Sequence, residues 1–278
     1  MNSLGRQNSQ SSAKALALFS RKIGETGPDF VVLHGLFGSG KNWRTFAGSL
    51  EENFQVWTPD ARNHGDSPHA DLMSYQEMAE DVVRFFVENE LENVILLGHS
   101  MGGKTAMQFA LRFPEMIAAL IVVDIAPVFY ENYHEQFKLI EAMRELCLPD
   151  KMSRSDIEKK LALKIPEKRL LSFLMTNLIC INGQFQWRIG LEQIAAGMQE
   201  LLNYPEMKSV FKGPVQFIGG ENSDYLKSKY HGLIQKHFPE SRITMLKNCG
   251  HWLHVEQPVA FQKTVNEFLR YNNLILIR

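Results

Sequence analysis

Three residue types that together can build a covalent catalyst lie far apart in this 278-residue chain: a serine between glycines, an aspartate closing an apolar run, and a histidine near the C-terminus. Gly98-His99-Ser100-Met101-Gly102 has the G-x-S-x-G form of a nucleophile elbow, in which the serine sits on a sharp strand-to-helix turn. Such a turn strains the backbone and leaves no room for side chains two positions either side, a demand that Gly98 and Gly102 meet. The same stretch extended to Thr105 also fits G-x-x-x-x-G-K-[ST], a phosphate-binding loop. In that reading the amides cradle phosphates, Lys104 reaches the terminal ones, Thr105 holds Mg²⁺, and Asp124 serves as a Walker B acid. His99 and Ser100 are then left without a task. A second near-match, Gly35 to Lys41, fails at Asn42, where a hydroxyl is expected.

Partners elsewhere favour nucleophilic chemistry. Asn248-Cys249-Gly250-His251-Trp252 lies between a strand-like run, Ile243 to Leu246, and a helix that opens at Pro258, which puts His251 on a loop where a general base belongs. Upstream, Phe30 to Leu33 leads into His34-Gly35-Leu36-Phe37, a strand ending in a turn with a small residue. That turn can aim the amide of Leu36 at a developing oxyanion, with the amide of Met101 as its partner. Ser100 would attack an acyl carbonyl, His251 would take its proton, and an acyl-enzyme would be resolved by water or by an alcohol.

Positioning these groups requires a sheet with helices on both faces, and the chain alternates accordingly. Strand-like runs are Ala15 to Phe19, Phe30 to Leu33, Phe54 to Thr58, Val94 to Leu97, Leu120 to Asp124, Val215 to Ile218 and Ile243 to Leu246. Between them, Tyr75 to Asn89 carries Met78, Val82, Phe85 and Phe86 at helical spacing. Thr105 to Leu111 reads as helix until Pro114 stops it. From about Pro127 to Pro205 strands give way to charge, Leu, Met and Ile, which predicts a helical cap over 127–205 and a core of 1–126 with 206–278. A cap over the strand ends excludes water and shapes a pocket.

Composition narrows the partners. A formal charge of −1 carries no bias towards nucleic acid or anionic membrane, and no apolar stretch approaches a membrane span. Cys147, Cys180 and Cys249 are too few and scattered for a disulfide framework, which points to a reducing compartment and a cytoplasmic protein. None has zinc-ligand spacing, and His254, three residues after His251, is half a metal motif without a third ligand. No metal site follows from these spacings. Arg6, Lys14, Arg21 and Lys22 precede the first acidic residue, Glu25, among several serines, so a mitochondrial transit segment stands as the alternative to a short tail.

Six blocks in order, His34 to Ser39, Asp60 to Pro68, Gly98 to Thr105, Val123 to Pro127, Gly219 to Ser223 and Gly250 to His254, resemble one α/β-hydrolase subgroup. It holds the bacterial YbfF esterases, abhydrolase-domain protein 11 and the yeast ethanol acetyltransferases, and the likeness spans roughly Phe30 to Leu269. The resemblance implies an α/β fold with a mostly parallel, doubly wound sheet, the cap inserted after the sixth strand, and a serine hydrolase acting on small-molecule esters or acyl thioesters without a metal or organic cofactor. In many such enzymes the acid follows the seventh strand, where this chain has Ser223, with Asp224 one residue late. A second acid position closes the sixth strand, and Asp124 stands there, with Asp224 and the cap residue Glu192 as alternatives. Phe37, Phe129, Tyr130 and Trp187 are the aromatic residues placed to line a substrate pocket. Arg62, His64 and Asp66 are expected to brace the fold. Two other classes remain, a nucleotide-binding protein using Gly98 to Thr105 and a catalytically silent hydrolase fold that binds a ligand.

Overall fold

The computed structural model describes residues 14–131, 134–148 and 152–275. The basic N-terminal stretch up to residue 13 and the end of the apolar run Leu274 to Ile277 lie outside them. Seven strands form one sheet: β1 (Ser20–Ile23), β2 (Asp29–Leu33), β3 (Gln55–Pro59), β4 (Val94–His99), β5 (Ile117–Val123), β8 (Val215–Gly220) and β9 (Ser241–Leu246). Their order is β1-β3-β2-β4-β5-β8-β9, with β1 antiparallel and every other pair parallel. The strand before the insertion is the fifth in chain order.

The first expected strand is displaced. Residues 15–19 are irregular, and the strand starts at Ser20. Side chains take the amides of the earlier stretch: Leu16 N–H donates to Asp81 Oδ1 at 2.6 Å and Phe19 N–H to Ser67 Oγ at 2.9 Å. Backbone amides already satisfied in this way have no call on a neighbouring strand.

Alternation along the central strands divides the core. Val31 and Leu33 of β2 face one layer with Leu96, and Phe30 and Val32 face the other with Ile95 and Leu97. The first layer is covered by α2 (Tyr75–Glu88) and α3 (Met101–Arg112), the second by α1 (Arg44–Gly48) and α10 (Pro258–Tyr271). Each fully buried large apolar side chain in these layers contributes about 1.5–3 kcal/mol. Ser74 caps α2 by accepting from Glu77 N–H, and Pro258 opens α10, where its missing N–H costs nothing.

Between β5 and β8 the chain forms α4 (His134–Arg144), α5 (Arg154–Ala162), α6 (Lys168–Met175), the strands β6 (Leu178–Ile181) and β7 (Gln184–Trp187), and α7 (Leu191–Leu202). The hairpin β6–β7 was not expected in a helical insertion. Its two-residue turn, Asn182-Gly183, has φ of 51° and 82°, the left-handed pair that Asn-Gly adopts most readily. Two short helices, α8 (His231–His237) and α9 (Leu253–Glu256), complete the molecule. No helix among the described residues is long and apolar enough to cross a membrane.

Candidate active site

Register brings the carboxyl ends of five strands together, with Leu33 beside Gly98, His99 beside Val123, Val123 beside Ile218 and Gly220 beside Leu246. Ser100 leaves β4 there with φ 54° and ψ −117°, a strained conformation for a residue with a side chain. Its N–H donates to Val123 O at 3.0 Å, which ties the turn to β5. A Cβ on Gly98 would lie 2.2 Å from Gly102 O, and one on Gly102 would lie 2.4 Å from Leu33 O. Any other residue at either place would push the serine off its seat.

Asp124 follows β5 with φ 50°, fully buried. Its carboxylate is saturated by donors: Gly220 N–H to Oδ1 at 3.0 Å, Ser223 Oγ–H to Oδ2, and His251 Nδ1–H to Oδ2 at 2.7 Å. A buried anion with three donors is electrostatically supported where a bare one would not be. Because Asp124 holds the Nδ1 proton, the lone pair of His251 lies on Nε2, the nitrogen that a general base needs. The alternatives are elsewhere. Asp224 is 94 % exposed and pairs with Lys227, while Glu192 is 67 % exposed and pairs with Arg144. Ser223, at the other position where the sequence led one to look for a carboxylate, instead donates to Asp124.

The loop after β2 is held by two buried neutral histidines. His34 Nε2 accepts from Ala61 N–H at 2.9 Å, so its Nδ1–H donates to Gly35 O at 2.8 Å. His64 Nε2 accepts from Phe37 N–H at 3.1 Å, and its Nδ1–H donates to Arg62 O at 2.9 Å. Burial draws both pKa values down, that of His64 to about 3, with the neighbouring His34 adding to the shift. The Phe37 amide is occupied, whereas the Leu36 amide has no acceptor among the described residues. Met101 opens α3, so its amide has no intrahelical partner either.

Ser100, His251, Leu36 and Met101 line one cavity of about 540 Å³, a size suited to a small ligand. Phe37 and Tyr130 also line it; Phe129 and Trp187 do not. Phe129 is half exposed, and the indole N–H of Trp187 donates to Met143 O at 3.1 Å, which fastens the hairpin to α4. Arg62 is a buried brace, bound through two nitrogens to Asp81 at 2.7 and 2.8 Å. Asp66 joins Arg21 of β1 to Arg188 of the insertion.

The hydrolase reading of the sequence left three site residues without roles. His99 Nε2–H donates to His251 O at 2.9 Å, so the residue before the serine anchors the loop that carries His251; burial, then the nearby His251 and His254, keep its pKa well below the usual value. Tyr225 stands against the His251 ring at 4.3 Å between centroids. Lys104 is buried, and its Nζ donates to Leu202 O at 3.0 Å and Asn203 O at 2.9 Å. The phosphate-loop reading fails on that last contact. Its lysine is committed to the end of α7, and the Thr105 hydroxyl donates to Met101 O within the helix. His254 stacks on Trp43 at 4.2 Å, and among the described residues no cluster of His, Cys, Asp or Glu can hold a metal.

A parallel sheet carrying a serine on a strained turn at its carboxyl edge, with a histidine from the last strand loop lining the same cavity, defines the class of α/β hydrolases. The sequence profile described as the alpha/beta hydrolase fold matches residues 28–258, and the chain belongs to that family. It is 39% identical over 249 residues to the sn-1-specific diacylglycerol lipase ABHD11 of Xenopus laevis, covering 87% of this chain and 80% of that one. To esterase YbfF of Escherichia coli it is 30% identical, covering 86% and 92%. The solved structure of a marine microorganism esterase superposes with a TM-score of 0.89 at 39% identity, over 92% of this chain and all of the other. The chain is a carboxylic ester hydrolase.

Proposed function

We propose that the chain cleaves small-molecule carboxylic esters through an acyl-enzyme on Ser100, with His251 as general base and acid, Asp124 as its orienting carboxylate, and the Leu36 and Met101 amides as the oxyanion hole. The 2.7 Å contact from His251 Nδ1 to a fully buried Asp124 carries this reading, because it fixes the tautomer that base catalysis requires. Ser100 Oγ attacks the carbonyl carbon as its proton passes to His251 Nε2. The tetrahedral oxyanion collapses, and the C–O bond to the alcohol breaks as His251 returns the proton to the leaving oxygen. Water then repeats the sequence on the acyl-enzyme and frees the acid. Each oxyanion amide contributes about 3 kcal/mol to the transition state.

The insertion 127–205 acts as the cap, on a core of 1–126 with 206–278. Thioesters present the same carbonyl and fall within this reading, and the diacylglycerol lipase relatives extend it to acylglycerols. Transfer of the acyl group to an alcohol in place of water is the alternative outcome of the same acyl-enzyme. Three cysteines without disulfides suit a reducing, cytoplasmic setting. A fluorophosphonate probe should label the wild-type chain and fail to label Ser100→Ala. An unlabelled, folded wild type, or equal labelling of the variant, would overturn the proposal.

A further inference from the structure

The cavity has two unlike ends. One is lined by Tyr75, Lys104, Ile125, Tyr130, Leu201 and Leu202, all buried. The other is lined by Glu167, Arg169, Phe173, Trp252 and Glu256, where Phe173 faces Trp252 at 5.7 Å and the Arg169 side chain is 60 % exposed. The first set of residues is buried and the second meets solvent. An acyl-enzyme reaction treats the two halves of an ester differently. The alcohol leaves first, and water must then reach the carbonyl from the side it vacated, where His251 serves both steps. The alcohol site therefore needs an open path, whereas the acyl group stays on Ser100 and fits a blind end.

The floor of that blind end is the last turn of α7, and core residues hold it. Tyr75 Oη donates to Leu201 O at 2.7 Å, and Lys104 Nζ to Leu202 O and Asn203 O. These carbonyls close the C-terminus of a helix, where backbone acceptors lack partners and a cation is favoured. The ammonium also stands 5.4 Å from the Tyr75 ring centre and 5.0 Å from that of Tyr130. Among the described residues no carboxylate pairs with Lys104. Burial brings its pKa down to about 7, so an apolar residue would fill the space at lower cost. What an apolar residue would not supply is a grip on two successive carbonyls, next to the one that Tyr75 holds.

Resting on the acyl-enzyme reading above, we propose that the blind end is the acyl site and that Lys104, with Tyr75, is a specificity-determining pair that fixes the end of α7 as its floor and so sets acyl length. The test uses p-nitrophenyl esters from acetate to laurate on the full chain, wild type, Lys104→Met and Tyr75→Phe, beside butyrate esters of lengthening alcohols. Freed of its clamp, α7 gives way, and the laurate-to-butyrate ratio of kcat/KM should rise about tenfold in Lys104→Met and about threefold in Tyr75→Phe, the scale of one or two methylenes. The alcohol series should keep its wild-type profile in both variants. An equal loss on every ester, an unchanged acyl profile, or a shift in the alcohol series instead would overturn the inference. Should Lys104→Met fold poorly, Tyr75→Phe decides, since it removes one hydroxyl. A wild type that cleaves no ester defeats the acyl-enzyme reading itself, whereas a wild type that cleaves the series while the variants share its profile defeats only this one.

Discussion

At Asp124 the chemistry is set by burial and by donors. A carboxylate in the low-dielectric end of a sheet strengthens its pull on His251, and Gly220 and Ser223 keep it aimed. Asp124→Asn preserves shape yet presents an amide, which favours the tautomer with the proton on Nε2. We expect kcat to fall by about 10⁴, the cost of the wrong tautomer in a serine triad. Asp224→Asn and Glu192→Gln, both exposed and paired outside the cavity, should stay near wild type. Steady-state kinetics on one activated ester checks all three, and wild-type turnover by Asp124→Asn would remove this acid from the mechanism. The position was legible in the sequence because an aspartate closing an apolar strand ahead of Pro127 has few structural reasons to be there. Lys104 was not, since its partners lie 98 and 99 residues away and only the folded cap brings them near.

Elements, more than single side chains, decide how well the oxyanion loop is placed. The stretch after β3 spans 60–68 and reaches in three directions: Asp60 accepts from Gly40 N–H at 2.6 Å, His64 holds the Phe37 amide, and Arg62 grips Asp81 of α2. The Arg62–Asp81 pair is 1% exposed on both sides, and Arg62 donates further to Leu72 O and Glu77 O. Removing one partner strands a buried charge, so Arg62→Met or Asp81→Leu should each cost about 3–5 kcal/mol, while the double variant recovers much of the loss. Urea unfolding of the three variants measures this, and additive single losses would show that the two side chains do not act as a pair. The central strands were legible because unbroken apolar runs belong to parallel strands buried on both faces. Residues 15–19 misled because their amides satisfy Asp81 and Ser67, a tertiary choice invisible in a local pattern. The β6–β7 hairpin carried its signal in Asn182-Gly183, but the apolar alternation around it is weak, with Cys180, Ile181 and Gln184 exposed.

Across the whole molecule the site region is built on buried neutral histidines, and this links its geometry to pH. Burial lowers the pKa of His34, His64, His99 and His254, to about 3 for His64 and His254, the latter also pressed by His251. These values lie below the ordinary 6.5, so between 6.5 and about 3 the unfolded chain binds protons that the native state refuses. Stability therefore falls as pH drops through that window, by about 1.4 kcal/mol per unit for each such group. Lys104 acts in a different range. Its native pKa near 7, against 10.5 unfolded, makes stability rise with pH between those values and adds no slope below them. The melting temperature should then drop by about 5 °C or more from pH 6.5 to 5.5, given the usual sensitivity of a chain this size. Thermal unfolding across that range, with His64→Gln as a comparison, checks it. The histidine substitution removes one titrating group and should flatten the dependence, because the acid sensitivity comes from the same rings that hold the oxyanion loop and the base loop in place. A wild-type melting temperature that does not move over that unit would mean these rings already accept protons in the folded state, and that the loops keep their positions without the neutral tautomers.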